Sequence, residues 1–167
     1  MDIHNLFWLV LLTFLPALEL RASIPVGLWS KPIDIPFFGT VNGLGLSLLE
    51  VLPIVIITNI FLGIFIFLFL DSLVRVFTKV QFIKVLYNRV VERTQRKAEK
   101  YVERFGTIGL ALFIAVPLPG SGVWTGALAA HLLGMRFRKF VAACVIGVLV
   151  AGALVTLATL GLLKGFL

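Results

Sequence analysis

The sequence is poor in the residues from which most catalytic and metal sites are built. Cys144 is the single cysteine, which excludes an intrachain disulfide, and His4 and His131 stand alone, without a cluster of further metal ligands around them. The sequence also lacks a glycine-lysine phosphate loop and a Ser–His–acid arrangement with supporting context. We therefore expect neither an enzyme nor a bound metal or cofactor.

Charge is scarce as well, and this decides the class of the protein. Charged residues make up 14% of the 167 residues and hydrophobic residues 60%, with a mean hydropathy of +1.08. This composition predicts an integral membrane protein with a single membrane domain over residues 1–167. The formal charge of +7 does not indicate nucleic-acid binding, because the basic residues border apolar segments. Anionic membrane lipids are the expected partners.

Residues 3–29 are the first apolar segment, and they are too few to cross a membrane twice, since one helical span needs about 20 apolar residues. Pro16, Glu19 and Arg21 interrupt the segment. A cleaved signal peptide fits poorly, because residues 1–7 carry no Lys or Arg. We predict a re-entrant helical hairpin. The alternative is a first helix that ends here, with the charged pair among the lipid headgroups.

Glu19 and Arg21 are costly inside such a hairpin. A charged side chain at the bilayer centre costs about 2.5–3.5 kcal/mol on insertion scales, and an adjacent acid and base offset part of this cost. Residues two apart do not share a helix face. The sequence therefore predicts a non-helical hairpin tip in which the two charges pair.

The next two segments are a loop and a membrane span. Residues 30–42 contain Pro, Gly and Asn and are predicted to be a non-cytoplasmic loop. Residues 43–70 follow as a transmembrane helix, which its length and Pro53 predict to be tilted or kinked. Asn59 in its middle is typical of either an interhelical hydrogen bond or a ligand contact. Two interpretations of Glu50 are equally good: a position near the lipid headgroups, or a buried functional role.

Residues 71–105 are the one long polar stretch, with nine Lys or Arg and four acidic residues. Apolar residues recur in it at a spacing of three or four, which indicates a helix with one apolar face. We predict a basic amphipathic helix on the cytoplasmic membrane surface. Such a helix either fixes the topology alone or also binds anionic lipid.

Residues 106–135 are a second apolar segment that is too short for two spans. Basic residues flank both of its ends, and Lys and Arg beside membrane segments stay in the cytoplasm, so both ends belong on that side. We predict a second re-entrant hairpin, whose irregular backbone at membrane depth marks a site. Residues 140–163 follow as a span without charge. The residues that break the hairpin are Pro117, Pro119, Gly120 and Gly122.

The segment order is hairpin, span, surface helix, hairpin, span, so the two spans run in opposite directions. The predicted fold class is an all-α membrane protein of two inverted repeats, each a re-entrant hairpin plus a transmembrane helix. Breaks at residues 24–27 and 118–120 occupy matching places. Interrupted segments in inverted halves indicate a transport site at the membrane midplane, which we place where the hairpin tips meet. Four membrane segments enclose little interior, which is compatible with a homodimer.

Two motifs resemble a known family. The stretches LPALELRASIPVG (residues 15–27) and PLPGSGVWTGALAAHLLG (residues 117–134) are similar to the small multidrug export proteins, a prokaryotic family related distantly to the DedA and VTT membrane proteins. The resemblance implies a multi-pass protein of the prokaryotic cell membrane with two re-entrant hairpins and an export or lipid-translocating role. In the second motif, Ser121 occupies a position where we expect Thr in this family. The matching residues are Glu19, Arg21, Pro25, Pro117, Pro119, Gly120, Gly122, Trp124, Thr125 and Gly126.

Two functions remain open. The first is proton-coupled secondary export of small molecules, in which Glu19, alone or together with Glu50, titrates and Arg21 binds an anion or restrains the acid. The second is lipid scrambling or polyprenyl-phosphate flipping, in which Arg21 and backbone amides near the hairpin tips receive a phosphate. The candidate residues for substrate or protons are Glu19, Arg21, Pro25, Glu50, Asn59, Pro117, Pro119, Gly120, Ser121, Gly122, Trp124 and Thr125.

Overall fold

The computed structural model describes residues 2–16, 18–35, 39–77, 105–116 and 121–166. The described residues form six α-helices and one two-stranded ribbon, so the predicted helical class is confirmed. In chain order the elements are α1 (Ile3–Phe14), α2 (Glu19–Leu28), β1 (Pro32–Ile35), β2 (Gly39–Asn42), α3 (Leu48–Phe77), α4 (Phe105–Ala115), α5 (Val123–Leu132) and α6 (Phe137–Phe166).

Two helices among the described residues are long and apolar enough to cross a membrane. They are Leu48–Leu70 within α3 and Phe137–Gly161 within α6, each with a mean hydropathy of 2.7. Both expose large apolar side chains, such as Ile57 at 67% and Leu157 at 68%. The other helices are shorter: α1 and α5, with 12 and 10 residues, reach about 15–18 Å at about 1.5 Å per residue. A hydrocarbon core of about 30 Å exceeds that length.

The predicted span ends at residue 70, as the candidate span Leu48–Leu70 does. The sequence also predicts a separate surface helix over residues 71–105, and α3 itself continues without a break to Phe77. No Gly or Pro occurs in residues 71–77, so nothing in this stretch breaks the helix. The remainder of the predicted surface helix, residues 78–104, lies outside the described residues.

The chain divides into two compact units. One comprises Met1–Asn59 and Leu149–Leu167, and the other comprises Ile60–Val148. The helices α3 and α6 contribute residues to both units. The pair α1–α2 belongs wholly to the first unit, and the pair α4–α5 wholly to the second.

In the first unit, α1 and α2 pack antiparallel, because Leu9 lies beside Gly27 and Thr13 lies beside Ser23. Glycine is needed for this approach. A Cβ at Gly27 would lie 2.8 Å from Cγ2 of Val51 in α3 and 3.0 Å from Cδ2 of Leu9 in α1. The end of α2 is therefore packed tightly against both α1 and α3.

A β-ribbon follows α2, where the sequence predicts a loop. β1 and β2 pair antiparallel, with Pro32 opposite Asn42 and Ile35 opposite Gly39. The loop prediction is wrong because the β-branched Ile, Thr and Val residues of these segments favour extended pairing. Proline is tolerated as the first residue of a strand, so Pro32 does not prevent the ribbon.

After the ribbon, the chain returns to the end of α2. The N–H groups of Leu44 and Leu46 donate to the carbonyl oxygens of Val26 and Gly27, each at 2.8 Å. The last carbonyl groups of a helix have no intrahelical donor. These bonds therefore satisfy the C-terminal end of α2 and fix the place where α3 begins.

In the second unit, α3 and α6 run antiparallel. Gly63 contacts Cys144, and four residues further along α3 the ring of Phe67 stacks on Phe140 with centroids 4.4 Å apart and an interplanar angle of 11°. An aromatic pair contributes about 0.5–1.5 kcal/mol beyond the area it buries. The stack therefore helps to fix the register of the two helices.

Glycine also brings α4 close to α5 and α6. A Cβ at Gly126 of α5 would lie 2.5 Å from Cγ1 of Ile114, and one at Gly147 of α6 would lie 2.8 Å from the carbonyl oxygen of Ala111. Small residues at helix contacts in membranes let two backbones approach in this way. The packing around α4 therefore depends on the absence of side chains at these two positions.

Candidate functional site

Glu19 and Arg21 lie where the chain turns from α1 into α2. α1 ends at Phe14 and α2 begins at Glu19, so both charged residues belong to the first turn of α2. The predicted non-helical setting applies to Glu19, whose φ is 46°, but not to Arg21, which lies within α2. An acid in the first turn also suits the helix dipole. Arg21 is half-buried, and the two charges attract each other.

Glu19 combines two unfavourable features. Its residue is only 2% exposed, and its φ of 46° lies in the left-handed region that favours glycine. A non-glycine residue in that region costs on the order of 1–3 kcal/mol, and such residues cluster at functional positions. Glu19 is therefore the strongest candidate in the first hairpin.

Two buried hydroxyl groups join α1 to α2 beside this turn. Oγ1 of Thr13 lies 2.7 Å from the carbonyl oxygen of Leu9 and 2.9 Å from Oγ of Ser23. Oγ of Ser23 in turn lies 2.7 Å from the carbonyl oxygen of Glu19. The hydroxyl pair therefore connects the backbone of α1 to the backbone of the candidate acid.

Sequence reasoning does not identify Thr13 and Ser23. Each is a single hydroxyl in an apolar run, and their contact joins residues on two different helices, which no local pattern indicates. The one available signal was a small polar residue in each arm of a predicted hairpin.

Pro25 does not interrupt the first hairpin. It lies inside α2, which continues to Leu28. The predicted correspondence between breaks at residues 24–27 and 118–120 is therefore wrong. Proline removes one backbone hydrogen bond from a helix, and the tight packing at Gly27 against α1 and α3 supports the helix beyond it.

Glu50 has a structural role. Its Oε2 accepts hydrogen bonds from the N–H of Ser47 at 3.0 Å and from the hydroxyl of Ser47 at 2.7 Å, at the start of α3. This serine and glutamate, three residues apart at a helix N-terminus, have the spacing of a capping box. The cap accounts for Glu50, which we leave out of the candidate site.

Glu50→Ala is expected to lower the unfolding temperature slightly, because the carboxylate that accepts from the N–H and the hydroxyl of Ser47 is lost. Glu50→Gln is the matched control, because glutamine at this position also accepts from the cap residue. Thermal unfolding in detergent measures both variants. An alanine variant as stable as the glutamine variant would show that the cap contributes nothing.

Asn59 lies about midway along the candidate span Leu48–Leu70, with its side chain fully buried at 0% exposed. In the part of the chain that the structure describes, neither its amide nitrogen nor its carbonyl oxygen has a hydrogen-bond partner. Leaving a buried polar group unsatisfied costs about 1–3 kcal/mol. Among the described residues, the predicted interhelical hydrogen bond of Asn59 is not formed, and the predicted ligand contact stays a prediction.

Several predicted site residues make local contacts at the start of α5. Gly122 has a φ of 118°, a conformation that side chains rarely adopt. The hydroxyl of Ser121 donates to the carbonyl oxygen of Val116, and Oγ1 of Thr125 lies 3.4 Å from the carbonyl oxygen of Gly122. These contacts explain Ser121, Gly122 and Thr125 as residues that shape the start of α5.

α4 ends at Ala115 and α5 begins at Val123, on either side of the predicted interruption. Trp124 is half-buried in the first turn of α5. Three predicted site residues, Pro117, Pro119 and Gly120, lie outside the described residues. The prediction that the two hairpin tips meet stays a prediction.

Among the residues that the structure describes, no three His, Cys, Asp or Glu side chains come together to hold a metal ion. The chemistry that the described groups offer is therefore that of a buried acid, a half-buried guanidinium and a buried amide, all carried on apolar helices. These groups can bind polar ligands and exchange a proton.

The composition, the two long apolar helices and the short paired helices define a helical membrane protein. Residues 19–154 match the family model described as "Putative small multi-drug export protein". Because the match covers most of the chain, the chain belongs to this family, as the two motifs implied. No curated protein and no solved structure matches the chain.

Proposed function

We propose that this protein is a proton-coupled secondary transporter that exports small molecules across the prokaryotic cell membrane, with Glu19, Arg21 and Asn59 as its polar centre. The family description supports export. Polar residues inside membrane segments are costly and mark transport paths. In this proposal both short helix pairs are re-entrant, since their helices are too short to span a bilayer.

The observation that carries the proposal is the buried amide of Asn59. A leucine at this position would bury more apolar surface and leave no unsatisfied polar atom. The asparagine is therefore unfavourable for the resting fold. A bound substrate that forms a hydrogen bond with the amide would satisfy it and offset this cost.

Glu19 and Arg21 supply the coupling. When Glu19 is ionised, its charge and that of Arg21 attract each other. In this state the carboxylate of Glu19, restrained by Arg21, can also accept a hydrogen bond from a polar or cationic group of the substrate. A proton that reaches Glu19 from outside the cell neutralises the carboxylate and releases the substrate there, and loss of the proton to the cytoplasm restores the site. Proton entry and substrate exit thereby compete for one acid, as export driven by an inward proton gradient requires.

Glu19 and Asn59 lie at a similar distance along their helices from a shared contact. Gly27 of α2 packs against Val51 of α3. From Gly27 back to Glu19, and from Val51 forward to Asn59, the distance along each helix is about 12 Å at about 1.5 Å per residue. We propose that the acid and the amide face the same ligand at this depth, with Arg21 beside them.

A flux assay in proteoliposomes tests the function. The protein is reconstituted with fluorescent drugs of different charge and, separately, with labelled phospholipids, each with and without a proton gradient. We expect drug movement that requires the gradient. Redistribution of labelled lipid without drug flux would contradict the proposal and favour the lipid scramblase or polyprenyl-phosphate flippase.

Asn59→Leu is expected to weaken the apparent affinity for a transported drug about tenfold, because one hydrogen bond to the ligand is lost. The same variant should unfold at the wild-type temperature or above it, since an unsatisfied amide is removed. Thr58→Val, which removes a half-buried hydroxyl from the neighbouring position, is the matched control and should transport normally. A destabilised Asn59→Leu protein would show that the amide is structural.

A further inference from the structure

A second candidate site lies within the second unit, where α4 begins and α5 connects to α6. The cavity there has a volume of about 410 Å³, within the usual range of small-molecule sites, about 300–1,000 Å³. Its lining combines the polar or charged residues Thr107, Arg136 and Lys139 with the apolar residues Leu133 and Met135. The cavity involves none of the residues proposed to carry transport.

The charge of the cavity selects its ligand. Arg136 and Lys139 are both exposed cations, and none of the described residues that line the cavity is acidic. A guanidinium binds two oxygens of a phosphate group at once, and an ammonium group adds a compact positive charge. The hydroxyl of Thr107 is a further hydrogen-bond donor. The ligand that this lining suits best is a phosphate group.

The apolar surroundings indicate where the phosphate comes from. Leu133 and Met135 line the cavity itself, and Ile108, one residue after the lining residue Thr107, is 68% exposed. Phe137, which is also exposed, begins the candidate span Phe137–Gly161. Apolar neighbours do not stabilise a bound free phosphate, but they stabilise the acyl chains of a lipid through the hydrophobic effect.

We propose that this cavity binds the phosphate of an anionic phospholipid, with Arg136 and Lys139 on the headgroup and the acyl chains along the exposed apolar start of α6. A span with a basic pocket at its end holds such a lipid at headgroup depth. The bound lipid would tie the start of α4 to the connection between α5 and α6. This site is independent of the proposed transport function.

Lipid binding to the full-length protein in uncharged detergent tests the site by native mass spectrometry. The probes are phosphatidylglycerol, phosphatidylcholine with the same acyl chains, and inorganic phosphate. Each cation near a headgroup contributes about fivefold in affinity, so the double variant R136Q/K139Q is expected to bind phosphatidylglycerol about 30-fold more weakly. R136K keeps the positive charge but lacks the planar guanidinium that binds two phosphate oxygens, so it should lose less affinity for phosphatidylglycerol.

Arg138 supplies the matched control. It is exposed and lies between the two cavity cations in sequence, but it does not line the cavity. R138Q is therefore expected to change the affinity for phosphatidylglycerol less than twofold. Because all three side chains are exposed, the variants should keep the wild-type unfolding temperature, which is measured alongside.

Three results would overturn the proposal. An equal loss of affinity in R138Q and in R136Q/K139Q would show general attraction to a basic surface. Equal affinity of the wild type for phosphatidylglycerol and phosphatidylcholine would show that the headgroup charge is not recognised. Inorganic phosphate that binds as tightly as phosphatidylglycerol would identify a site for a free anion instead of a lipid.

Discussion

Glu19→Gln is expected to reduce gradient-driven export to the level of vesicles without protein, while substrate binding and exchange stay largely intact. Glutamine keeps the size and polarity of the side chain but cannot take up or release a proton. A carrier without its titratable group still binds substrate and equilibrates it across the membrane. Such a carrier cannot use a proton gradient to concentrate the substrate. Uptake into inverted vesicles and counterflow exchange measure the two activities separately.

Glu50→Gln is the control for this experiment. Glu50 is the other acid in the apolar helices of the first unit, and its carboxylate accepts from Ser47 in the cap of α3. Glutamine preserves that cap, so this variant should export at the wild-type rate. A Glu19→Gln protein that still concentrates substrate against its gradient would show that the pair of Glu19 and Arg21 only holds the hairpin turn together.

Gly147→Ala is expected to lower the unfolding free energy by about 1–3 kcal/mol, the usual cost of overpacking a filled contact. The new Cβ would lie 2.7 Å from Cβ of Ile114 and 2.8 Å from the carbonyl oxygen of Ala111, atoms that cannot turn aside as the end of a flexible side chain does. α4 and α6 must therefore separate. The higher helix propensity of alanine, about 1 kcal/mol at most, offsets only part of this cost.

Gly152→Ala provides the comparison on the same helix. A Cβ there would lie 3.5 Å from the side chain of Ile56, an ordinary van der Waals distance. This variant should be as stable as the wild type or slightly more so, because only the gain in helix propensity applies. Thermal unfolding in one detergent compares the two proteins. Equal unfolding temperatures would show that α4 and α6 adjust without loss.

The larger elements could be predicted because they follow from composition. A long apolar run around Asn59 predicts a membrane-length helix, and proline with glycine before Val123 predicts an interrupted one. The smaller features depend on contacts between distant residues. Pro25 predicts a break in the helix, but the packing at Gly27 keeps α2 intact as far as Leu28. The ribbon was missed because pairing of Ile35 with Gly39 is set by the register of two strands and not by turn residues.

The candidate site was predictable only in part, and for similar reasons. Charges are rare enough in apolar segments that Glu19 and Arg21 stand out from the sequence alone. The cap at Glu50 was also visible as a serine three residues before a glutamate, a local signal that the prediction overlooked. The sequence does not show that the amide of Asn59 has no hydrogen-bond partner among the described residues, because the partners of a polar group depend on every side chain packed around it.

The hydroxyl pair of Thr13 and Ser23 has fewer hydrogens than contacts. Each hydroxyl carries one hydrogen, and three short oxygen distances share the two. Either Thr13 donates to Ser23, which donates to the carbonyl of Glu19, or Ser23 donates to Thr13, which donates to the carbonyl of Leu9. The two arrangements differ by hydroxyl rotations alone. A small chain of dipoles that ends at the backbone of the candidate acid can therefore reverse its direction without displacing a heavy atom.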